Sequence, residues 1–398
     1  MRAETPGCNG QFTHLNNAGA SLKPRMVVEA VARHLEREEE IGGYEAATEA
    51  AGDVGAFYAS VARLINAQPS EIAFVDSATR GWQIAFLALG LNPGDEVLTS
   101  SAEYNSNMIS FRHAEQRLGI RTVLVPDEAD GSIDCAALER AITGRTRLIS
   151  LSHMPTNDGI VQPAAEVGRI AKAHGIPYLL DACQSVGQMP IDVTGLGCTM
   201  LTATGRKYLR GPRGTGFLWV DRTWQDRLVP EMLDIRSARW TEVDRFEIMD
   251  DAGRYELWEN NVAAQIGLGK AAAYAVRHSL DLVWERIQML AARLRSLLAE
   301  LPGFDVHDRG AVKSGIVTFS SRAVPAAELT AWLRREHAIN TSVSAVQLTR
   351  TDLISSGLTH VVRASVHAFN TEDEVDRLAA ALRPLATGRD AAQAVPVS

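Results

Sequence analysis

Cysteine is scarce in this sequence: its 398 residues include four cysteines, and none of them forms a C-x-x-C pair. No cysteine stands at a metal-like spacing from a histidine, so we predict no metal site. A reduced, cytoplasmic setting is the simplest interpretation of this pattern. The sequence also lacks a long uncharged apolar run and an apolar stretch near its N-terminus, so we expect neither membrane association nor export.

An excess of positive charge is also lacking, because the formal net charge is −8. Nucleic-acid binding needs a basic surface, and we therefore expect no nucleic-acid partner. Lysine is the scarcest charged residue, with five lysines against 35 arginines among the 40 basic residues. A content of 46% hydrophobic and 22% charged residues is typical of a globular protein, and the length allows a major and a minor domain.

Short β-branched runs alternate with amphipathic stretches between residues 72 and 220. This alternation predicts a mostly parallel sheet with right-handed crossovers and helices on both faces. The predicted strands are 72–77, 96–100, 122–125, 148–152, 178–180, 199–203 and 217–220. Ligands bind beyond the carboxyl ends of such strands, so the residues that follow each strand are candidates for a site.

The rest of the chain is predicted to consist of further helices, an irregular connection and a smaller unit. Helices are expected at 26–40 and 46–65, an irregular connection at 230–261, one long helix at 263–301, and a smaller α/β unit with strands at 316–319 and 361–366. We predict three parts: an N-terminal arm with an active-site loop (1–25), a large ligand-binding domain (26–262), and a long helix with a small C-terminal domain (263–398).

Three strand ends carry residues that could contact one ligand. Thr79 opens a helix whose free amide groups favour an anion, although it could instead serve as the N-cap. Tyr104 either plugs the core or stacks on a ring. Asp181 follows an apolar strand and needs a cation, which is either a ring nitrogen or a structural arginine.

Lys207 follows a further strand, in the segment LTATGRKYLRGPRGTG. Thr204 and Arg206 flank it and could hold a phosphate while the amine reaches a carbonyl on the same ring. The alternative is a solvated basic loop, because Arg210 and Arg213 are close in sequence. An anion-binding helix start, an aromatic ring, a carboxylate and a lysine together fit pyridoxal phosphate, with the lysine forming a Schiff base.

The order of these motifs resembles the class V aminotransferase division of the fold-type I pyridoxal-phosphate enzymes, which includes cysteine desulfurases, kynureninases and C–S lyases. The resemblance runs from HLNNAGAS to RASVHAFNTEDEVDRL, and its most specific parts are Asp-x-x-Gln in DACQ and TGRKYLRGPRGTGFLWV. It implies an α/β fold with a mostly parallel seven-stranded sheet and a smaller C-terminal α/β domain. It also implies pyridoxal 5'-phosphate as cofactor, an amino-acid substrate, and a homodimer whose second subunit completes the active site.

The resemblance also implies roles for individual residues. Lys207 would be the Schiff-base lysine and the base that moves the Cα proton, and Arg363 would bind the substrate carboxylate with its planar fork. The cofactor residues implied are Asp181 at the ring nitrogen, Gln184 at the ring hydroxyl, Tyr104 on the ring face, and Ala78, Thr79, Thr204, Arg206 and the second subunit's copy of Asn261 at the phosphate. Thr156 and Asn157 are alternatives for one family asparagine that contacts cofactor or substrate, and Asn17 is a further substrate-binding candidate.

Two departures from the family pattern bear on the reaction. Desulfurases carry a nucleophilic cysteine in the region that corresponds to 340–358, and this sequence has none there, so a persulfide-forming desulfurase is not expected. Asp158 stands where close relatives would have a small residue.

A finer resemblance is to the ergothioneine-type C–S β-lyases and to lincosamide-pathway enzymes that act on S-conjugated cysteine. The segments that carry it are IGGYEAA, SAEYNSN and TGRKYLRGPRGTGF. This resemblance implies β-elimination to thiol, pyruvate and ammonia in a small-thiol or antibiotic pathway. The alternatives are a decarboxylating deaminase on the same substrate, an aminotransferase or epimerase, and a non-catalytic binding partner.

Overall fold

Strands and helices alternate through most of the chain in the computed structural model, which describes residues 1–347, 350–355 and 357–386. The strands are β1 Thr13–His14, β2 Ile72–Val75, β3 Glu96–Thr99, β4 Arg121–Leu124, β5 Thr146–Ser152, β6 Tyr178–Asp181, β7 Met200–Thr204, β8 Gly216–Val220, β9 Ala238–Glu242, β10 Arg245–Ile248, β11 Phe304–Val306, β12 Ile316–Ser321, β13 Ile339–Asn340, β14 Ser342–Ala345 and β15 His360–Ser365. The α-helices are α1 Arg25–Ile41, α2 Gly43–Glu49, α3 Ala51–Ile65, α4 Ala78–Leu87, α5 Asn105–Leu118, α6 Cys135–Ala141, α7 Ala164–Ala173, α8 Val193–Leu196, α9 Val262–Arg277, α10 Leu280–Ala299, α11 Ala326–His337, α12 Arg350–Ser355 and α13 Glu372–Ala386.

A seven-stranded sheet, in the order β2-β8-β7-β6-β5-β3-β4, organises the first part of the chain. All neighbouring pairs are parallel except the two that involve β8, which runs antiparallel to β2 and β7. β8 returns directly after β7 through a connection without a helix, and such a short connection permits only antiparallel pairing. The predicted α/β fold with a mostly parallel seven-stranded sheet is confirmed.

The central strands are apolar on both faces because helices cover the sheet from both sides. Tyr178, Leu179 and Leu180 of β6 are completely buried. Such runs are typical of parallel strands enclosed by helices. On one face Trp82 of α4 packs edge-on against Phe111 of α5. This packing joins α4 to α5 on that face of the sheet.

A second, four-stranded antiparallel sheet in the order β11-β12-β15-β14 follows. Helices α10 and α11 pack on it, and α13 packs against α10. The N-terminal segment joins this C-terminal part: β1 pairs with β13, and the amide of Asn17 donates to Ser365 O at 3.4 Å. The start of the chain therefore lies beside β15, and the predicted smaller α/β unit is present.

Three local predictions are wrong. The helix expected at 46–65 is two helices, which meet at Ala50. The long helix expected at 263–301 is α9 and α10, because Ser279 takes the left-handed value φ +51° between them. The stretch 230–261 contains the hairpin of β9 and β10, whose residues are almost all exposed and so show no alternation of buried and exposed positions. No helix within the described ranges is long and apolar enough to cross a membrane.

Candidate active site

A cleft of about 300 Å³ opens where strands of the large sheet reach their carboxyl ends. This volume suits a small ligand. The cleft gathers these predicted site residues: Ala78, Thr79, Tyr104, Thr156, Asp181, Gln184, Thr204, Arg206 and Lys207. It also includes Asp76, Ser77, Ala102, Ser152, Met154, Pro155, Cys183, Arg213 and Gly214, for which the sequence predicted no role. The strand ends thus converge on one space.

The start of helix α4 forms one wall of the cleft. Ser77 is the N-cap, because its hydroxyl accepts from the amide of Arg80 at 3.2 Å. Thr79 therefore does not cap the helix, and its hydroxyl is available to a ligand. The lack of a side chain at Gly216 lets β8 approach this wall, since a Cβ there would stand 2.9 Å from Ala78 N. Free amide groups at a helix start suit an anion such as phosphate.

Lys207 is buried inside the cleft, with its Nζ 5.8 Å from the centre of the Tyr104 ring. Burial lowers the pKa of its amine, against the opposing effect of Cys183 and Asp181. No described carboxylate forms an ion pair with it. The amine is therefore shifted toward its neutral, nucleophilic form. The alternative of a solvated basic loop does not hold for this residue.

The buried amine predicts a pH dependence of stability for the cofactor-free protein. Between the lowered pKa of Lys207 and its ordinary value near 10.5, the unfolded chain binds more protons than the folded one. The free energy of unfolding should therefore rise with pH through that window. Lys207→Met is expected to be more stable than the wild type at neutral pH, with a difference that shrinks as pH rises. Urea unfolding at several pH values tests this prediction. It would be contradicted if the free energies of unfolding of the two proteins changed with pH in parallel.

Asp181 ends β6 with its carboxylate fixed at two points. Its Oδ1 accepts from the amide of Cys183 at 3.0 Å, and its Oδ2 accepts from Asn107 Nδ2 at 3.2 Å. No arginine or lysine of the described residues pairs with it, so the alternative of a structural arginine is not observed. The carboxylate keeps free lone pairs that face the cleft, which fits a protonated ring nitrogen.

Gln184 contributes a buried amide with unused hydrogen-bonding capacity. Its Nε2 donates to Ala18 O at 3.2 Å, while its Oε1 has no hydrogen-bond partner among the described residues. A buried polar atom normally has a partner. The ring hydroxyl expected at this position would supply one, so the residues present fit pyridoxal phosphate.

Arg363 on β15 is buried and does not itself line the cleft, but it contacts Thr156, which does. Its Nη1 donates to Thr156 O at 2.9 Å and to the Thr156 hydroxyl, and its Nε donates to Ser342 Oγ at 3.1 Å. Burial lowers the pKa of this guanidinium to about 10. No described carboxylate pairs with it, so a buried guanidinium that lacks an anion stands next to the cleft. A substrate carboxylate would complete it.

Besides Arg363, three predicted residues do not line the cleft. Asn17 is completely buried and joins the N-terminal segment to β15, donating to Ser365 O at 2.8 Å. Asn157 lines a separate cavity. Asn261 is exposed and caps α9 by accepting from the amide of Ala264 at 2.8 Å. The predicted role of Asn261 requires a second subunit and stays a prediction.

Asp158 has a structural partner instead of a role in the cleft. Its Oδ2 accepts from Arg309 Nε at 2.7 Å, and its Oδ1 accepts from the Arg309 amide at 2.9 Å. This pair ties the loop after β5 to the connection between β11 and β12. The acidic side chain at this position therefore does not line the cleft.

Comparison with known proteins identifies the family of this chain. The family model described as aminotransferase class-V matches residues 13–378. The chain belongs to the class V aminotransferase family. A probable cysteine desulfurase of Methanothermobacter thermautotrophicus is 27% identical to it over 94% of each chain.

Solved structures of this family have the same fold. An apo cysteine desulfurase from Thermococcus onnurineus has a TM-score of 0.89 and 23% identity over 97% of each chain. A variant of C-DES with glycine covalently linked to its PLP cofactor has a TM-score of 0.86 and 23% identity over 96% of this chain and 99% of that one. The predicted fold-type I fold is thus confirmed. The finer resemblance to ergothioneine-type and lincosamide-pathway lyases stays a prediction.

Proposed function

We propose that this family member is a pyridoxal-phosphate-dependent carbon–sulfur lyase that cleaves L-cysteine substituted on sulfur. The observation that carries the proposal is the unsatisfied charge around one cleft. Lys207 is a buried amine, and within the part of the chain that the structure describes Asp181 has no cationic partner and Arg363 has no anionic one. Burying charged groups without partners is costly, so the chain is built to receive a ligand that supplies them.

The cofactor is pyridoxal phosphate, which when bound stabilises negative charge at the Cα of an amino acid. The start of α4 with Thr79, together with Thr204 and Arg206, would hold its phosphate. Asp181 would keep the ring nitrogen protonated, and Tyr104 would lie against the ring. These residues all line the cleft, and together they supply an anion site, a carboxylate and an aromatic face.

Arg363 and Lys207 have different roles toward the substrate. Arg363 binds the α-carboxylate and sets the orientation of the Cα–H bond. The neutral amine of Lys207 accepts the Cα proton, and the Cβ–S bond breaks with its electron pair on sulfur. The thiolate leaves and takes up a proton, and addition of water to the three-carbon remainder gives pyruvate and ammonia.

The positions of the cysteines favour release of a thiol over transfer of sulfur to the protein. No cysteine occurs in 340–358, and Cys183 is the cysteine that lines the cleft. Burial raises the pKa of the Cys183 thiol well above its ordinary value. A thiol that stays protonated is a poor nucleophile. We therefore expect sulfur to leave with its substituent.

Product analysis tests the proposed reaction. Incubation of the holoenzyme with S-methyl-L-cysteine is expected to give methanethiol, pyruvate and ammonia in equal amounts. Release of carbon dioxide without pyruvate would instead identify a decarboxylating deaminase. Formation of a new amino acid from an added keto acid would identify an aminotransferase, and loss of stereochemical purity alone would identify an epimerase.

We also propose that two copies of the chain form a dimer through an exposed apolar segment. The exposed apolar residues between 229 and 258 are Val229, Met232, Ile235, Trp240, Val243, Phe246, Leu257 and Trp258. A cluster of exposed apolar side chains of this kind marks an interaction surface. Asn261 follows the segment directly in sequence, so a second copy bound to this segment would lie close to that residue.

Substitution in the hairpin tests the dimer. Trp240→Asp combined with Phe246→Asp is expected to give a monomer with weaker cofactor binding, because charge would be buried in the interface. Leu282→Asp is the matched control, since Leu282 is 64% exposed on α10 and does not belong to this segment. Sedimentation velocity and cofactor titration measure both effects. A dimer unaffected by the double substitution would contradict this interface.

A further inference from the structure

Glu103 is a completely buried carboxyl group at the carboxyl end of β3, beside the cleft. No arginine, lysine or histidine of residues 1–347, 350–355 and 357–386 forms an ion pair with it. A buried carboxyl without a cation is rare in proteins unless it is fully hydrogen-bonded. The reaction proposed above gives it no role.

Five donors surround the two oxygens of Glu103. The hydroxyls of Thr99 and Ser150 donate to Oε2 at 3.0 and 3.2 Å. Oε1 accepts from the Ser152 hydroxyl at 2.5 Å, from the Tyr104 amide at 2.8 Å and from Asn107 Nδ2 at 2.9 Å. The donors come from three different elements, so the position of the Glu103 carboxyl group is strongly constrained.

Asn107 connects Glu103 to the cleft. Its Nδ2 has two hydrogens, and it donates to Glu103 Oε1 at 2.9 Å and to Asp181 Oδ2 at 3.2 Å. Both hydrogens are therefore used by carboxyl groups. Because Glu103 accepts one of these hydrogens, the rotation of the Asn107 amide is fixed. In this orientation the second hydrogen points toward Asp181.

We propose that Asn107, oriented by Glu103, is a positioning residue that fixes the plane of the Asp181 carboxylate toward the ring nitrogen of the cofactor. The Cys183 amide holds the other oxygen of Asp181, so two donors on different elements set that plane. Without the Asn107 bond the carboxylate rotates about its remaining contact. The inference rests on the proposed cofactor but not on the choice among the reactions that it supports.

The electrostatic surroundings agree with an orienting role. The ionisable groups near the pair are Asp181, Tyr178 on β6, and Lys207, which interacts electrostatically with Asp181. Burial and the Asp181 charge raise the pKa of Glu103. A neutral or partly protonated Glu103 still accepts from Asn107, so the bridge does not depend on a second full negative charge.

Two substitutions distinguish the effect of orienting the Asp181 carboxylate from the effect of the charge on Glu103. Asn107→Leu removes the bridge at similar volume, while Glu103→Gln removes the charge and retains an oxygen that can accept from Asn107. Ser100→Ala is the control, because Ser100 is equally buried beside β3 and its hydroxyl has no partner among the described residues. The holoenzyme is assayed for the pH midpoint of its cofactor absorbance band, for cofactor affinity, and for kcat and KM with S-methyl-L-cysteine.

Asn107→Leu is expected to shift the pH midpoint and to lower kcat about tenfold to a hundredfold, the range seen when groups that orient a functional ligand are lost. Its KM should change little, because Arg363 is untouched. Glu103→Gln and Ser100→Ala should stay close to the wild type. An unchanged pH midpoint and kcat in Asn107→Leu would overturn the proposal. An equal loss in Glu103→Gln would also overturn it, since charge rather than orientation would then matter.

Failure of this inference can be told apart from failure of the proposed function. If the wild-type protein gives no cofactor absorbance band, the proposed function is wrong. If the wild type has the band, and the Asn107→Leu variant shows the same band and the same titration, only the inference about Asn107 is wrong. Urea unfolding of the cofactor-free variants shows whether a loss comes from misfolding, and a variant that unfolds is replaced by Asn107→Ala.

Discussion

Lys207→Ala is expected to abolish turnover of S-methyl-L-cysteine, with a fall in kcat of about a thousandfold or more. In the proposed mechanism, the substitution removes both the amine that would bind the cofactor covalently and the base that would accept the Cα proton, and a positioned base alone contributes about a hundredfold to ten-thousandfold. The proposed phosphate and ring contacts lie on other residues, so the variant should still bind the cofactor without a covalent bond. Pyruvate release and cofactor absorbance measure the two properties separately.

Lys270→Ala is the matched control for this prediction. Lys270 lies on α9, where its amine pairs with Asp53 at 2.7 Å, and it does not line the cleft. A partly exposed ion pair of this kind contributes little to stability, so the control should retain wild-type turnover. Wild-type activity in Lys207→Ala would contradict the whole account of the cleft.

Arg363→Lys is expected to lower kcat/KM for the substrate about a hundredfold, the scale of losing one partner of a buried, hydrogen-bonded charge pair. Lysine keeps the charge but cannot reproduce the planar fork, and it cannot also hold Thr156 and Ser342 as the arginine does. Most of the loss should be in KM, with smaller effects on the cofactor spectrum. Steady-state kinetics over a range of substrate concentrations give the two constants.

The surface residue Arg322 provides the control for this change. It pairs with Asp305 at 2.7 Å on the small sheet and is largely exposed. Arg322→Lys should leave kcat and KM unchanged. If Arg363→Lys left KM unchanged and altered only the cofactor spectrum, Arg363 would bind the cofactor and not the substrate carboxylate.

The parts of the site that are local in sequence were predictable. Thr79, Tyr104, Asp181 and Lys207 each follow a strand, and parallel strands bring their carboxyl ends to one edge. The sequence therefore predicted that these residues meet. Glu103 is next to Tyr104 in sequence and was still overlooked, because a carboxyl among donors from β3, β5 and α5 has no pattern along the chain.

The features of the site that depend on contacts between distant parts of the chain could not be predicted from the sequence. The bond between Arg363 and Thr156 joins residues 207 positions apart, and the tie of Asn17 to Ser365 joins residues 348 apart. No local periodicity encodes such pairs. The break at Ser279 was also missed, because the apolar spacing on either side of it is helical, and only the backbone conformation separates the two helices.

Reduction of the purified holoenzyme with borohydride, followed by peptide mapping, tests whether Lys207 binds the cofactor covalently. We expect a protein with visible absorbance that is lost on reduction, and a cofactor fixed to the peptide that contains Lys207. The chain has four other lysines, Lys23, Lys172, Lys270 and Lys313, so the assignment is unambiguous. A label on any of these four, or no label on a catalytically active protein, would contradict the account.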